Sequence, residues 1–436
     1  MPECTQEEQS AEGTPRVKLP QRDQIEFRAC CWNDLLPEGH QARIVWDYVK
    51  GLDLTSLYQP IKAVERGVGR AAIDPMILFA LWLYATLRGV GSAREVARRC
   101  DRQTGEVAFQ WICGGVSVNY HTLADFRTAH VEVLDEVLTT SVAALMHEEL
   151  VTLDRVAQDG IRVRASAGAA SFRRQPTLEE HLTEAREQIA ALKAELDADP
   201  NAANRRQRSA RERAARERAE RLEKALEHVA EVAGKKQADE KPNARASTTD
   251  PEARVMKMGD GGYRPAYNVQ FATDTATQII TGVEVSNSGS DQGKMAPMVD
   301  QHEERYSERP REMVVDGGFA KKEDITQVSP PEGETIVYAP VQKAKKEEID
   351  PHTPRKTDSP AVAEWRTRMA TPEAKEIYKQ RAATAECVNA IARNRGLQQF
   401  RVRGSPKVKA IILWFVLAHN LRRAATLRAQ QEMKGQ

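Results

Sequence analysis

Between residues 177 and 240, apolar residues recur at alternating spacings of four and three. Leu178, Leu182, Ala185, Ile189, Leu192 and Leu196 form one run; Ala215, Ala219, Leu222, Leu226, Val229 and Ala233 form a second. That spacing is the seam of helices packed side by side. The stretch DADPNAAN (197–204) breaks it. The simplest geometry is an antiparallel helical hairpin, two arms zipped along their seams. Its second arm carries Arg205, Arg206, Arg208, Arg211, Arg213, Arg216, Arg218 and Arg221, interleaved with Glu212, Glu217 and Glu220. The Glu-paired arginines read as a solvated face. Arg205, Arg206 and Arg208 lack nearby acids and read as DNA contacts.

The two sides of this insertion differ in period. Residues 27–148 read as helices. HQARIVWDYVKGL is amphipathic. DPMILFALWLYATLRG opens on Asp74 and Pro75 and stops near Gly89. SAREVARRC follows with Ser92 as its cap, and TLADFRTAHVEVLDEVLTTSVAALMHEEL reads as one long helix. Short helices with arginines in their turns suit a DNA-binding module, and equally a bundle with solvated arginines. After 150, strands begin. LDRVAQDGIRVRA is the first; YRPAYNVQFATD and QIITGVEVSN form a hairpin turning at DTAT; REMVVDGGFA and ETIVYAP follow. Helices are read at 291–306, in KKEDITQV, at 365–396 and at 407–429, with 235–257 a polar loop.

With the arm set aside, the order is β, β, β, α, β, α, β, α. That is the order of an RNase H-like fold, a mixed sheet flanked by helices. The predicted organisation is a tail (1–26), a helical DNA-binding domain (27–148), an α/β catalytic domain (149–176 and 241–429) interrupted by a coiled-coil arm (177–240), and a tail (430–436).

Composition narrows the class. The 436 residues carry a net charge of only +1, with 29% charged, so a nucleic-acid surface has to be a local patch. Six cysteines form no CxxC pair and nine histidines no HxxxH spacing, which argues against a zinc site or disulfide frame. The apolar runs 76–87 and 410–418 fall short of the roughly 20 residues of a membrane span, and the polar N-terminus lacks a signal core. These features predict a cytoplasmic protein.

Three acids stand out. Asp159 lies on the first strand, Asp316 ends a later one, and Glu386 lies on a helix. Asp before Gly is also turn chemistry, so no single acid decides the matter. As a set at one sheet edge, they are oxygen ligands for two Mg²⁺ ions, the pair that phosphodiester chemistry uses. The glycines after Asp159 and Asp316 leave room for close approach of backbone and DNA. Rival acids read otherwise: Asp154 faces the opposite side, Asp260 sits in a loop, Asp291 caps a helix and Glu284 lies on an exposed face. Tyr378, Arg381 and Arg393 flank Glu386. At 100° per residue Glu386 and Arg393 share a face, Tyr378 lies near it, and Arg381 is displaced but long enough to reach a phosphate.

LLPEGHQARIVWDYV, DPMILFALWLYATLRGVGSAREVARRC and VNYHTLADFR, with AQDGIRVRASAG, DPEARVMK, YNVQFATD, VVDGGFA, RMATPEAKEIYKQRAATAECVNAIARNRG and LAHNLRR, resemble the DDE transposases of bacterial insertion sequences. The resemblance is to the insertion-sequence family numbered 1182, in the group with a Tyr-Arg-Glu signature. It implies that Asp159, Asp316 and Glu386 are the catalytic triad. It implies that Tyr378 and Arg381 contact DNA near the cut. Arg393 stands where the group usually has Lys, and either residue holds a phosphate. It further implies Mg²⁺-dependent cleavage (Mn²⁺ can substitute), joining of 3′-OH ends to target DNA, binding of terminal inverted repeats, and a homo-oligomer on DNA. Two rival functions remain open at the level of sequence: a non-catalytic DNA-binding relative, and a nuclease without strand transfer.

Overall fold

The computed structural model describes residues 31–62, 71–198, 205–329, 335–342 and 350–435. The predicted tail 1–26 lies outside the described residues.

Among the described residues, a short 3₁₀ turn (Trp32–Leu35) is followed by seven α-helices: α1 (Gln41–Lys50), α2 (Thr55–Tyr58), α3 (Pro75–Leu87), α4 (Ala93–Arg99), α5 (Val107–Cys113), α6 (Tyr120–Ala129) and α7 (Val131–His147). The Asp74 carboxylate caps α3 by accepting from Met76 N, with Pro75 in the first turn. Gly89 follows at φ +69°. Ser92 is the N-cap of α4, but its side chain makes no capping bond. The long helix expected from residue 122 is two helices. His130 leaves helical geometry at φ −122°, ψ 51° and separates α6 from α7.

Strand β1 (Arg155–Arg164) opens the sheet. A two-residue pair, β2 (Phe172–Arg173) with β3 (Ala246–Ser247), closes the base of the arm. The arm is α8 (Gln175–Ala198) and α9 (Arg205–Gly234). Near the tip Arg208 donates to Glu195 O at 3.3 Å, and further down the arm Arg218 bonds Glu184 at 3.3 Å, so the helices run antiparallel. Leu178, Leu182, Ala185, Leu192, Ala215, Ala219, Leu222 and Val229 are buried along the predicted seam. The arm has its own small apolar cluster, separate from the main core.

The rest of the sheet is β4 (Arg254–Lys257), β5 (Tyr263–Asp274), β6 (Ile280–Ser286), β7 (Glu312–Val314) and β8 (Ile336–Tyr338). The β4 stretch, expected as loop, pairs with residues 263–266 of β5, and β6 pairs with 268–273 on the same edge. Across the sheet the order is β4 or β6, β5, β1, β7, β8. β1 is antiparallel to β5 and parallel to β7, so the sheet is mixed. Helices α10 (Met295–Tyr306), α11 (Lys322–Val328), α12 (Pro360–Ala370), α13 (Pro372–Arg381), α14 (Cys387–Asn394) and α15 (Ser405–Gly435) flank it. The region 365–396, expected as one helical stretch, breaks at Thr371, whose side chain caps α13. α15 also continues through residues read as a tail.

α15 joins the two halves. Its Trp414 ring lies 4.7 Å from Phe79 of α3, and its Nε1 donates to Arg127 O at 3.0 Å. Phe415, one position on, lies 5.8 Å from Phe271 of β5. Helices before 148 and the sheet after it therefore share one apolar core. No helix among the described residues is long and apolar enough to cross a membrane.

Candidate active site

β1 and β7 pair in parallel over three rungs, the last Ala157 with Val314. Asp159 lies two residues beyond that rung on β1, and Asp316 two beyond it past β7. Asp159, midway along β1, and Asp316, just past the end of β7, thus lie side by side where the parallel pairing stops. The Asp316 carboxylate turns back to accept from Gly318 N at 2.7 Å. A Cβ on Gly318 would lie 2.9 Å from Asp316 Oδ1, so this glycine makes room for the acid itself.

The third acid arrives on an irregular helix. Between α13 and α14, residues Ala382–Glu386 form a π turn. In an α-helix, five residues rotate about 500°, leaving Glu386 about 140° from Arg381. A π turn closes from i to i+5 and returns Glu386 to the face of Arg381. Thr384 bonds back to Gln380 O at 2.9 Å. Gln278, from the β5–β6 turn, donates to Ala383 O at 2.9 Å.

Arg381 is the meeting point. Its guanidinium lies 3.0 Å from Asp159, 3.8 Å from Asp316 and 2.8 Å from Glu386. Side-chain exposure rises from 14% at Asp159 through 37% at Asp316 to 53% at Glu386, so the cluster opens toward Glu386. Burial pushes the Asp159 carboxyl up; the guanidinium opposes that, and Asp316 adds to it. Burial pulls Arg381 down, but Asp159, Tyr378 and Asp316 outweigh it and hold it above its usual value. The half-buried Tyr378 hydroxyl is pushed up, chiefly by burial.

Two stretches of the chain match known protein families. Residues 342–425, which include α13, the π turn and α14, match the family described as "Transposase DDE domain". Residues 30–129 match "Transposase domain (DUF772)". These are the domains of a transposase. No curated protein matches the chain. No solved structure matches it either.

The acids expected to act together do converge, and so does Arg381, which the spacing placed off their face. Arg393 is exposed on α14. Arg208 donates to Glu195 O across the arm at 3.3 Å. The side chains of Arg205 and Arg206 lie outside the described residues. Asn389 was not singled out. It is buried, and its Nδ2 donates to Asp159 Oδ2 at 3.0 Å. Its place three residues after Glu386 was the only signal for it.

Two expectations need correcting. Gly160 does not leave room for DNA: a Cβ there would meet Gln270 Nε2 at 2.6 Å, Asp291 Oδ1 at 2.7 Å and Asn268 Oδ1 at 2.9 Å. Asp291 does not cap α10, whose N-cap is Lys294. It accepts from Asn268 at 2.7 Å and Gln270 at 2.8 Å behind the sheet.

The donor set is all oxygen and already gathers a cation, which fits a hard divalent ion. Among the described residues no three His, Cys, Asp or Glu side chains are close enough to hold an ion as they stand. The Arg381 guanidinium lies between the three carboxylates.

Proposed function

We propose that this chain is the transposase of a bacterial insertion sequence, related to the family numbered 1182, with an RNase H-like catalytic core. The convergence of Asp159, Asp316 and Glu386 on one cationic group carries this reading. Asp159, Asp316 and Glu386 would hold two Mg²⁺ ions. Such a pair activates an attacking oxygen and offsets charge on the leaving one.

In the first step, water attacks phosphorus at the element's end. The P–O3′ bond breaks, and the leaving oxygen takes a proton to become a free 3′-OH. In the second, that hydroxyl attacks a phosphodiester of target DNA. A new P–O bond forms as the target's own P–O3′ bond breaks. Asn389 keeps Asp159 aimed at the cluster. Arg381 would exchange its carboxylate partners for a DNA phosphate, a match for its planar fork. Tyr378, beside Arg381, and the exposed Arg393 further along α14 would contact the DNA backbone as well. The N-terminal helices would recognise the terminal inverted repeats, and the chain would assemble as a homo-oligomer on DNA.

The deciding experiment uses DNA bearing the element's terminal repeats, with Mg²⁺ or Mn²⁺. The wild type is expected to nick the ends and join pre-cut ends to a second duplex, and Asp159→Asn to do neither. Full cleavage by Asp159→Asn would refute the assignment. Cleavage without joining of pre-cut ends would make the protein a nuclease.

A further inference from the structure

A second cationic centre lies beyond α14, away from the carboxylates. The end of α14 and the face of α15 enclose a cavity of about 440 Å³ lined by Asn394, Arg395, His419, Arg422 and Arg423. Among the described residues no acid lines this cavity, and the charged groups acting on His419 are Arg395, Arg423 and Arg422; Arg423 Nε also donates to Thr277 O at 2.9 Å. Burial first, and then these cations, hold that histidine neutral at about 4, although its bond to Gln278 O pulls the other way. Arg395 Nη1 is buried with no hydrogen-bond partner. By contrast, Arg428 further along α15 is paired with Glu148 at 2.7 Å. Three guanidiniums converging on a cavity, one with an orphaned donor, are costly to keep together unless an anion completes them. Arg395 also lines a neighbouring cavity of about 150 Å³ with Arg127 and Arg401, so the positive surface continues toward α6.

Gln278 ties this centre to the active site. Its carbonyl accepts from His419 at 2.8 Å, while its side chain donates to Ala383 O in the π turn. Along the other path, the 8 residues of α14 separate Glu386 from Arg395, nine steps with a rise of about 13.5 Å. That is about three to four steps of a DNA strand at roughly 3.4 Å each.

We propose that Arg395, Arg422 and Arg423 form a phosphate cradle that grips the DNA backbone about three to four nucleotides from the cut. It rests on the transposase reading, but its test needs no catalysis. Binding of the full-length protein to fluorescent duplex DNA, without divalent ions, is measured across a salt series. For Arg422→Gln with Arg423→Gln, the slope of log affinity against log salt is expected to shrink by about two, near 0.9 for each lost contact. Arg422→Gln alone, at an exposed position, is expected to shrink it by about one with unchanged melting. An unchanged slope in both variants overturns the cradle and leaves the transposase reading standing. A wild type that binds no duplex DNA overturns both. Pyrophosphate that raises the melting temperature of the wild type but not of the variants, with the DNA slope unchanged, would assign the site to a free phosphate and overturn its role in DNA binding.

Discussion

Arg381 Nη2 lies 3.0 Å from Asp159 Oδ1, inside the ring of acids and not on its rim. A guanidinium there offsets the repulsion among three carboxylates and competes with any divalent ion for them. Removing it should separate these effects. Arg381→Gln is expected to bind Mn²⁺ at least about fivefold more tightly by calorimetry without DNA. Without metal it should be less stable by about 1–3 kcal/mol, the cost of stranding a partly buried charge. Its strand cleavage should fall tenfold or more, because the phosphate loses its partner. Equal Mn²⁺ affinity in the two proteins would contradict the competition.

Asn389 gives Asp159 its only side-chain amide donor among the described residues. As a positioning residue it should affect the metal as well as the rate. Asn389→Ala is expected to weaken Mn²⁺ binding several-fold and slow cleavage about tenfold, with a cooperative melt. Slowed cleavage with unaltered Mn²⁺ affinity would make Asn389 merely structural.

Gly160 is held by packing behind the sheet. Gly160→Ala should cost about 1–3 kcal/mol, as overpacking does, because its methyl group would displace Gln270, Asn268 and Asp291 together. The urea midpoint measures this, and a wild-type midpoint would show that the amide layer yields freely.

His302 is buried between β6 and α10. Its Nε2 bonds the Thr281 hydroxyl at 2.8 Å and its Nδ1 bonds Met298 O at 2.7 Å. Burial, aided by Arg305 and opposed by the Met298 bond, lowers it from 6.5 to about 4. Below 6.5 the unfolded chain binds the proton and the folded one does not. The contribution is therefore full above 6.5 and lost as pH falls through about 4. At about 1.4 kcal/mol per unit it is of order 3 kcal/mol. Melting measured from pH 7 to 4.5 should fall steeply in the wild type and less steeply in His302→Gln. Parallel curves would assign the loss to other groups.

The arm should be removable. Its base is closed by the pairing of Phe172 with Ser247, and its apolar cluster is separate from the core. Replacing residues 175–243 with a short glycine-serine turn is expected to leave melting within a few degrees of the parent. A molten product would show that the sheet depends on the arm.

What the sequence disclosed follows from which patterns repeat. The arm was legible because Leu178, Leu182, Ala185 and Leu192 keep one seam over many turns. Asp159 and Asp316 were legible because each ends or interrupts a β-branched run. β4 was not, since Arg254–Lys257 sits among polar residues and gains its strand character from β5. The break at His130 leaves the apolar period of its neighbours intact. Arg381 was placed off the face of Glu386 because regular rotation was applied across a π turn, and one extra residue in that turn changes who faces whom. Asn389 had only its place three residues after Glu386 to mark it, and the neighbour it touches is what singles it out.

α15 has a consequence for synthesis. The chain emerges from the ribosome with α3 and α6 first, yet the ring that covers Phe79 belongs to Trp414, within the final 31-residue helix. Until that segment is released, the earliest-made helices keep an uncovered apolar face. The helices made before α15 thus stay open until it follows, and a chain cut ahead of Ser405 is expected to be open and aggregation-prone instead of a smaller working domain.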